Sequence, residues 1–173
     1  MLSAYAAPFV AAARKEESSV PIQWNPELDT GIDVIDKQHR RIVDYINDLE
    51  IANAGHDRAA IEHTLDALVD YTMSHFAFEE SLQEEAGYAF CKAHKRVHEL
   101  FARRVNEYVE RHRLGDDVGS ELVRLLTTWL VNHIKRDDAD YVGAVKAKMI
   151  DVVAKKQHTQ GAGWFRRFFG RAA

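Results

Sequence analysis

Apolar residues recur at intervals of three and four along most of the chain, which is the spacing of amphipathic α-helices. Four stretches show this pattern, from about Val34 to Gly55, from about Asp57 to Ala86, from about Cys91 to Arg113, and from about Asp117 into the charged stretch 135–140. A glycine stands at or just beyond the end of each of the first three, where helices commonly stop. No alternation of period two competes, so the sequence predicts four long helices.

Short connections between long helices make successive helices antiparallel. The sequence therefore predicts an all-α fold, an antiparallel up-down-up-down four-helix bundle that buries four apolar stripes. Beyond Tyr141 a shorter apolar pattern, from Val142 to Val153, predicts an additional short C-terminal helix.

The two ends of the chain differ from the bundle in composition. We expect a flexible N-terminal arm over residues 1–21, the four-helix domain over 22–153, and a linker and basic aromatic tail over 154–173. The tail interleaves Trp164, Phe165, Phe168 and Phe169 with Arg166, Arg167 and Arg171. Two interpretations stay open: a tail that binds an anionic membrane surface or a groove in a protein partner, and a frayed terminus.

Charge and cysteine content exclude several classes of protein. The net charge is −4 and the charges are interspersed, which argues against nucleic acid as a partner. No apolar run reaches the roughly 20 residues of a membrane span, and the N-terminus lacks the basic start of a signal peptide. Cys91 is the single cysteine and is expected to pack at the start of the third helix. We expect a cytoplasmic monomer.

Five of the nine histidines, together with one glutamate, fall on the apolar stripes of the predicted helices. These inward residues are His39, His75, Glu79, His94, His98 and His133. One inward histidine is more often a hydrogen-bonded core residue than a ligand, but burying six polar groups without partners would cost about 1–3 kcal/mol each. A metal centre removes that cost. The other four histidines, His56, His63, His112 and His158, are predicted to lie on the surface.

Five imidazoles exceed what one tetrahedral site uses, so two metal ions bridged by carboxylates are the simplest arrangement. Glu79 can supply one bridge, and either Asp137 or Asp138 the other. On a regular helix Asp137, at i+4, shares the face of His133, whereas Asp138, at i+5, is rotated by about 140° and points inward only if the helix is distorted or ends. Helical spacing alone favours Asp137.

Taken together, the histidine-containing stretches resemble the hemerythrin family of non-haem di-iron oxygen-binding proteins, and within it the bacterial members. The stretches are GIDVIDKQH ending in His39, HFAFEE starting at His75, HKRVH starting at His94, and HIKRDD starting at His133. The family pattern is one histidine followed by HxxxE, HxxxH and HxxxxD on successive helices. This sequence matches it at every ligand position, and the resemblance covers about residues 22–153.

The resemblance implies a hemerythrin-like bundle with a specific ligand set. One iron would be bound by His94, His98 and His133, the other by His39 and His75, with Glu79 and Asp138 as bridges. The implied cofactor is two iron ions (Fe2+/Fe3+) with an oxo or hydroxo bridge, and the implied ligand is dioxygen at the open position on the iron held by His39 and His75. The resemblance thus favours Asp138 over Asp137.

The function implied is reversible dioxygen binding for storage, transport or delivery to oxygen-requiring enzymes, with no catalytic residues. Two inward carboxylates, where ferritin-like di-iron enzymes use about four, favour binding over bond cleavage. An apolar lining is predicted from Phe76, Phe101, Trp129 and Leu130. Two alternatives stay open: an oxygen or redox sensor that signals to a partner protein, and a di-iron enzyme acting on peroxide or nitric oxide. Glu80 is expected to face solvent.

Overall fold

The computed structural model describes residues 21–150, so residues 1–20 of the predicted arm and the whole predicted linker and tail lie outside the described residues. The described chain forms four long helices: α1 Asp33–Ala54, α2 Arg58–Ala86, α3 Cys91–Arg113 and α4 Gly119–His133. These residues contain no strand. The prediction of an all-α four-helix fold is confirmed. All four helix starts and the ends of α1, α2 and α3 lie within two residues of the predicted positions, whereas α4 ends at His133, before the charged stretch 135–140.

Specific residues mark both ends of α2 and the start of α3. The Asp57 carboxylate accepts a hydrogen bond from the Ala60 amide at 3.0 Å and so caps the first turn of α2. At the other end Gly87 adopts φ +70°, a left-handed conformation that glycine tolerates best. Four residues later Cys91 opens α3, and its half-buried thiol donates to the Glu80 carbonyl oxygen at 3.8 Å. This placement matches the predicted packing role of Cys91.

Successive helices pack side by side, with α1 against both α2 and α4, and α2 against α3. The remaining side of the bundle, between α3 and α4, is closed by aromatic stacking. The rings of Phe101 and Trp129 lie 3.6 Å apart between centroids and are inclined by 11°. These contacts make a closed bundle whose interior is shared by all four helices.

The apolar core consists of two separate clusters. The larger one runs from Ile61 and Val118 at one end of the bundle to Phe76 and Ile134. The smaller one contains Ile32, Ile35, Tyr141 and Val145. A layer of buried histidines and carboxylates lies between them.

The segment before α1 folds back onto the bundle and is fixed by one buried carboxylate. Asp36 accepts hydrogen bonds from the Thr30 amide and hydroxyl, both at 2.7 Å, and from the Gly31 amide at 3.0 Å. Upstream, Trp24 lies with its ring centroid 6.4 Å from that of His39. The N-terminal segment therefore covers the bundle beside the first predicted ligand.

The predicted additional C-terminal helix is a continuation of α4. A π-helical segment, Ile134–Asp138, joins α4 directly to helical residues 139–150. The apolar pattern shifts in phase here because a π turn inserts an extra residue without breaking the helix. This shift led to the prediction of a separate helix.

The prediction of a surface position was wrong for His112. It is buried at 4% exposure because the last turn of α3 packs against the start of α2. Its ring Nε2–H donates to the Arg58 carbonyl oxygen at 3.4 Å, and the Arg58 guanidinium donates to the His112 carbonyl. His56 and His63 are exposed as predicted, and His158 lies outside the described residues.

Within residues 21–150, no helix is long and apolar enough to cross a membrane.

Candidate metal centre

The structure brings all seven predicted ligands into one buried layer at mid-bundle. Each is 5% exposed or less: His39, His75, Glu79, His94, His98, His133 and Asp138. Helical geometry explains part of this convergence, because residues four apart on a helix lie on one face. The pair His75 and Glu79 on α2 and the pair His94 and His98 on α3 therefore point two groups each at the same volume.

The π segment decides which aspartate enters this layer. Its hydrogen bonds run from i to i+5, so a residue five positions after His133 returns to the face of His133. Asp138 is fully buried, and its Oδ1 lies 3.1 Å from His133 Nε2. Asp137 is 40% exposed, and its Oδ2 lies 3.1 Å from the other ring nitrogen, Nδ1. The expectation from regular helical spacing, that Asp137 points inward, was wrong.

Ligand atoms converge in two groups that share Glu79. His94, His98, His133 and Glu79 can place one ligand atom each within 4.8 Å of one another, and so can His39, His75 and Glu79. Two ligands held at about 2.0–2.2 Å from one ion lie about 3–4 Å apart. His98 Nε2 and His133 Nε2 are 3.0 Å apart, and His75 Nε2 is 3.7 Å from Glu79 Oε2. These spacings fit two adjacent metal ions.

The two oxygens of Asp138 face different groups. Oδ1 lies 3.1 Å from His133 Nε2 and 3.7 Å from His94 Nε2, whereas Oδ2 lies 3.3 Å from His39 Nε2. Glu79 also contacts both groups, with Oε1 3.8 Å from His39 and Oε2 3.7 Å from His75 and 3.5 Å from His98. A carboxylate with one oxygen toward each group has the geometry of a bridging ligand.

Buried polar atoms without partners test whether metal ions fit this layer. His39 Nε2, His94 Nε2, Glu79 Oε2 and both Asp138 oxygens are buried without hydrogen-bond partners. Unpaired buried groups are costly, and a native structure rarely leaves so many together. Cations among them would pair with every one of these atoms, so the residues present fit a metal centre.

Burial favours the neutral form of four of the five inward histidines. Burial, reinforced by nearby His75, lowers the pKa of His39 to about 3, and burial lowers the pKa of His75 to about 4. Burial also lowers the pKa of His98 and of His133. Neutral imidazole is the form that binds metal, so no proton has to be displaced.

The two buried carboxylates compete for ionisation. Burial alone would raise the pKa of Glu79, but the His94 and His98 imidazoles, 3.7 and 3.5 Å away, hold the pKa well below its usual value. Burial and the charge of Glu79 raise the pKa of Asp138 far above its usual value. A cation between them would allow both to ionise.

Three polar residues outside the predicted ligand set contact the far ring nitrogen, Nδ1, of inward histidines. Gln38 Oε1 lies 2.8 Å from His75 Nδ1, and Glu80 Oε1 lies 3.1 Å from His98 Nδ1. Asp137 makes the third such contact. Each acceptor keeps the proton on Nδ1 and leaves Nε2 free for metal.

The prediction that Glu80 faces solvent was wrong. Its side chain is 14% exposed because α3 packs over it, and Lys95 donates to its other oxygen at 2.6 Å. The helical wheel of α2 alone could not show this, because the covering atoms belong to another helix.

Tyr141 was missed as a residue of the site. It is fully buried, its hydroxyl donates to Glu79 Oε1 at 2.5 Å, and its ring lies 5.4 Å from that of His94. Burial and the charge of Glu79 raise the pKa of Tyr141, so the hydroxyl stays protonated and remains a donor. Its place between the charged stretch 135–140 and the apolar pattern that starts at Val142 gave no sign of a role in the site.

Aromatic side chains separate the ligands from the larger core cluster. Phe76 stacks on His98 with ring centroids 3.7 Å apart, and Trp129 stacks on His133 at 4.3 Å. The four residues predicted to line the site, Phe76, Phe101, Trp129 and Leu130, border one small cavity next to His75 and His133. Most of the residues that line this cavity are apolar, so a water molecule there would find few hydrogen-bond partners.

Comparisons with known proteins agree with this geometry. Residues 30–145 match the family model described as the hemerythrin HHE cation binding domain. The chain is 54% identical over 151 residues to a bacteriohemerythrin of Pseudomonas aeruginosa, covering 85% of this chain and 97% of the relative. It is 51% identical over 151 residues to a bacteriohemerythrin of Stenotrophomonas maltophilia, again covering 85% of this chain and 97% of the relative.

A solved structure gives the same result for the fold. A crystal structure of wild-type hemerythrin superposes with a TM-score of 0.69 at 32% sequence identity, covering 73% of this chain and 98% of that one. The match to the family model spans more than half of the chain and includes the whole buried ligand layer. This chain therefore belongs to the hemerythrin family.

Proposed function

We propose that this protein binds dioxygen reversibly at a non-haem di-iron centre and serves as an oxygen store or carrier that delivers oxygen to oxygen-requiring enzymes. Family membership supports non-haem di-iron oxygen binding in general. The observation that carries the proposal for this chain is the buried layer itself, with two groups of imidazoles joined by two carboxylates.

Each of the seven residues then has a definite role. His94, His98 and His133 would hold one iron, His39 and His75 would hold the other, and Glu79 and Asp138 would bridge them. The iron pair supplies the redox chemistry with which dioxygen is held. Because one group contains three imidazoles and the other two, the iron held by His39 and His75 would be the one with a position left for dioxygen.

The surrounding residues favour release of dioxygen over its reduction. Tyr141 fixes the orientation of Glu79, and the stacked rings of Phe76 and Trp129 limit the entry of water. Among the described residues, the other buried carboxylate near the layer is Asp36, which is committed to Thr30 and Gly31. The layer therefore lacks the additional carboxylates with which ferritin-like di-iron enzymes surround their metals.

The test is metal content combined with visible spectroscopy of the full chain. We expect about two irons per chain and an absorption band that appears when the anaerobically reduced protein meets oxygen and fades when oxygen is removed. Asp138→Asn is expected to lose this reversibility, and Asp140→Asn, an exposed neighbour, to retain it.

Each unexpected outcome has a distinct meaning. A chain that binds no iron would refute the di-iron assignment. Two irons that oxidise at once, and return only with added reductant, would refute the carrier role and favour a sensor or an enzyme. A cytoplasmic location and a monomeric state stay predictions.

A further inference from the structure

The residues that contact the far nitrogens of the histidines differ in charge between the two ligand groups. In the group of His94, His98 and His133, two Nδ1 atoms contact carboxylates, since Glu80 lies 3.1 Å from His98 and Asp137 lies 3.1 Å from His133. In the group of His39 and His75, the acceptor is the neutral amide of Gln38, 2.8 Å from His75. His39 Nδ1 is buried without any partner.

This difference has an electronic consequence for bound metal. A carboxylate that accepts the Nδ1 proton draws it away from the ring and makes Nε2 a stronger electron donor. A stronger donor stabilises the higher oxidation state of the metal and so lowers its reduction potential. A neutral amide oxygen orients the ring without adding negative charge, and a histidine without a partner gains neither effect.

From this asymmetry we infer that Glu80 and Asp137 are positioning residues that make the iron held by His94, His98 and His133 the first of the two to lose an electron. The inference rests on the proposed function, because it concerns the same di-iron centre. It assigns the earlier oxidation to the iron without the open position, and the later one to the iron that faces dioxygen.

The two carboxylates differ in strength. Glu80 is 14% exposed, and Asp137 is 40% exposed. Water screens the charge of an exposed group more strongly, so Glu80 has the larger effect. Lys95 contacts Glu80 at 2.6 Å but is itself 53% exposed. Its charge is therefore well solvated, and the contact mainly holds the Glu80 carboxylate in place.

The experiment is a potentiometric titration of the iron-loaded full chain, oxidised stepwise by ferricyanide through redox mediators and followed by its visible spectrum. Each one-electron step transfers an electron from one iron to the oxidant. For Glu80→Gln we expect the first step to move to higher potential by about a tenfold change in its equilibrium constant, which is about 59 mV. Asp137→Asn should move it in the same direction by less.

Two further variants separate charge from structure. Gln38→Glu adds a carboxylate to the other group while keeping an acceptor for His75, and it should lower the potential of the second step so that the two steps converge. Glu84→Gln removes the same charge as Glu80→Gln one turn further along α2, at an exposed position, and should leave both potentials unchanged.

Three results would overturn the inference. They are equal shifts in Glu80→Gln and Glu84→Gln, unchanged potentials in Glu80→Gln with two irons still bound, and no response of the second step to Gln38→Glu. If Glu80→Gln loses iron, the added charge in Gln38→Glu still decides, because it removes no contact. A wild-type chain without two irons would instead refute the proposed function, so the two failures are distinguishable.

Discussion

At the scale of single residues, three of the five buried imidazoles in the ligand layer are held by a specific polar neighbour. The Nδ1 atoms of His75, His98 and His133 contact Gln38, Glu80 and Asp137, respectively. On the carboxylate side, the Tyr141 hydroxyl orients Glu79. These contacts preorganise the ligand atoms, and their loss should change metal binding more than it changes the fold.

Removing the Tyr141 hydroxyl tests this preorganisation. Tyr141→Phe deletes a buried hydrogen bond to a charged acceptor, which is worth about 1.5–3 kcal/mol. We expect iron transfer to a chelator to become about 10–100-fold faster. Tyr88→Phe, on the neighbouring half-buried ring 6.4 Å away, is the control. Equal rates for the two variants would contradict a role for the hydroxyl.

The lowered histidine pKa values predict that the metal-free protein loses stability in acid. The unfolded chain takes up protons on these imidazoles near pH 6.5, but the folded chain does so only near pH 4 at His75 and pH 3 at His39. Between those limits the unfolded state binds more protons, so the free energy of unfolding falls as the pH falls, by about 1.4 kcal/mol per pH unit for each such histidine.

The raised pKa of Asp138 acts in the opposite direction, because there the folded state takes up a proton first. This one carboxyl group offsets the pH dependence of about one histidine, whereas the pKa values of four histidines are lowered. The net effect is therefore a loss of stability in acid. Urea unfolding of the protein at pH 7 and pH 5, after its metal has been removed with a chelator, measures the slope, which is the change in the free energy of unfolding per pH unit. His75→Gln should reduce the slope and exposed His63→Gln should not; an identical slope in both would contradict the assignment.

At the scale of elements, the end of α1 and the start of α4 approach too closely for a side chain at Gly119. A Cβ there would lie 1.7 Å from Asn53 Oδ1. Any residue larger than glycine at position 119 would therefore displace the Asn53 side chain. The contact brings the start of α4 close to the end of α1.

We expect Gly119→Ala to lower the free energy of unfolding by about 1–3 kcal/mol because the added methyl group overlaps Asn53. Gly143→Ala is the matched control, since nothing lies within 4 Å of its Cβ position. Alanine in a helix should stabilise there by about 0.5–1 kcal/mol. Urea unfolding measures both, and Asn53→Ala should rescue Gly119→Ala. Destabilisation that persists in the double variant would contradict the steric explanation.

At the scale of the whole molecule, the ligand layer separates two apolar clusters and draws on every helix. Unpaired buried groups at mid-bundle weaken the metal-free protein, and cations that pair with them stabilise the folded state. Metal binding and folding are therefore linked across the entire bundle.

This linkage predicts that iron raises the thermal unfolding temperature. A ligand that binds only the folded state adds about 2.7 kcal/mol when its free concentration is 100 times its dissociation constant. We expect anaerobic Fe2+ to raise the midpoint of the wild type, to raise it less in Asp138→Asn, and to raise it fully in Asp140→Asn. Equal shifts in all three would show that the ions bind elsewhere.

Sequence reasoning alone was sufficient for the four long helices and for most of the ligand set. Apolar spacing predicted the four helices, and the i, i+4 pairs His75 and Glu79, and His94 and His98, put ligand atoms on common faces because helix geometry is local. Where packing decides, the same reasoning failed. Glu80 and His112 are covered by atoms of other helices, which no wheel of a single helix contains.

Periodicity could not select the second shared carboxylate, which the family resemblance assigned to Asp138, and the folded chain supplies the physical reason and the supporting contacts. Asp138 faces the layer because the chain forms a π turn after His133, a conformation that regular spacing does not predict. Tyr141 reaches Glu79, and Gln38 reaches His75, across separations of 62 and 37 residues. Such contacts depend on how the helices pack, so they cannot be predicted from the local spacing of apolar residues. The sequence therefore determined which groups could bind metal, and the packing of the bundle determined how they are held.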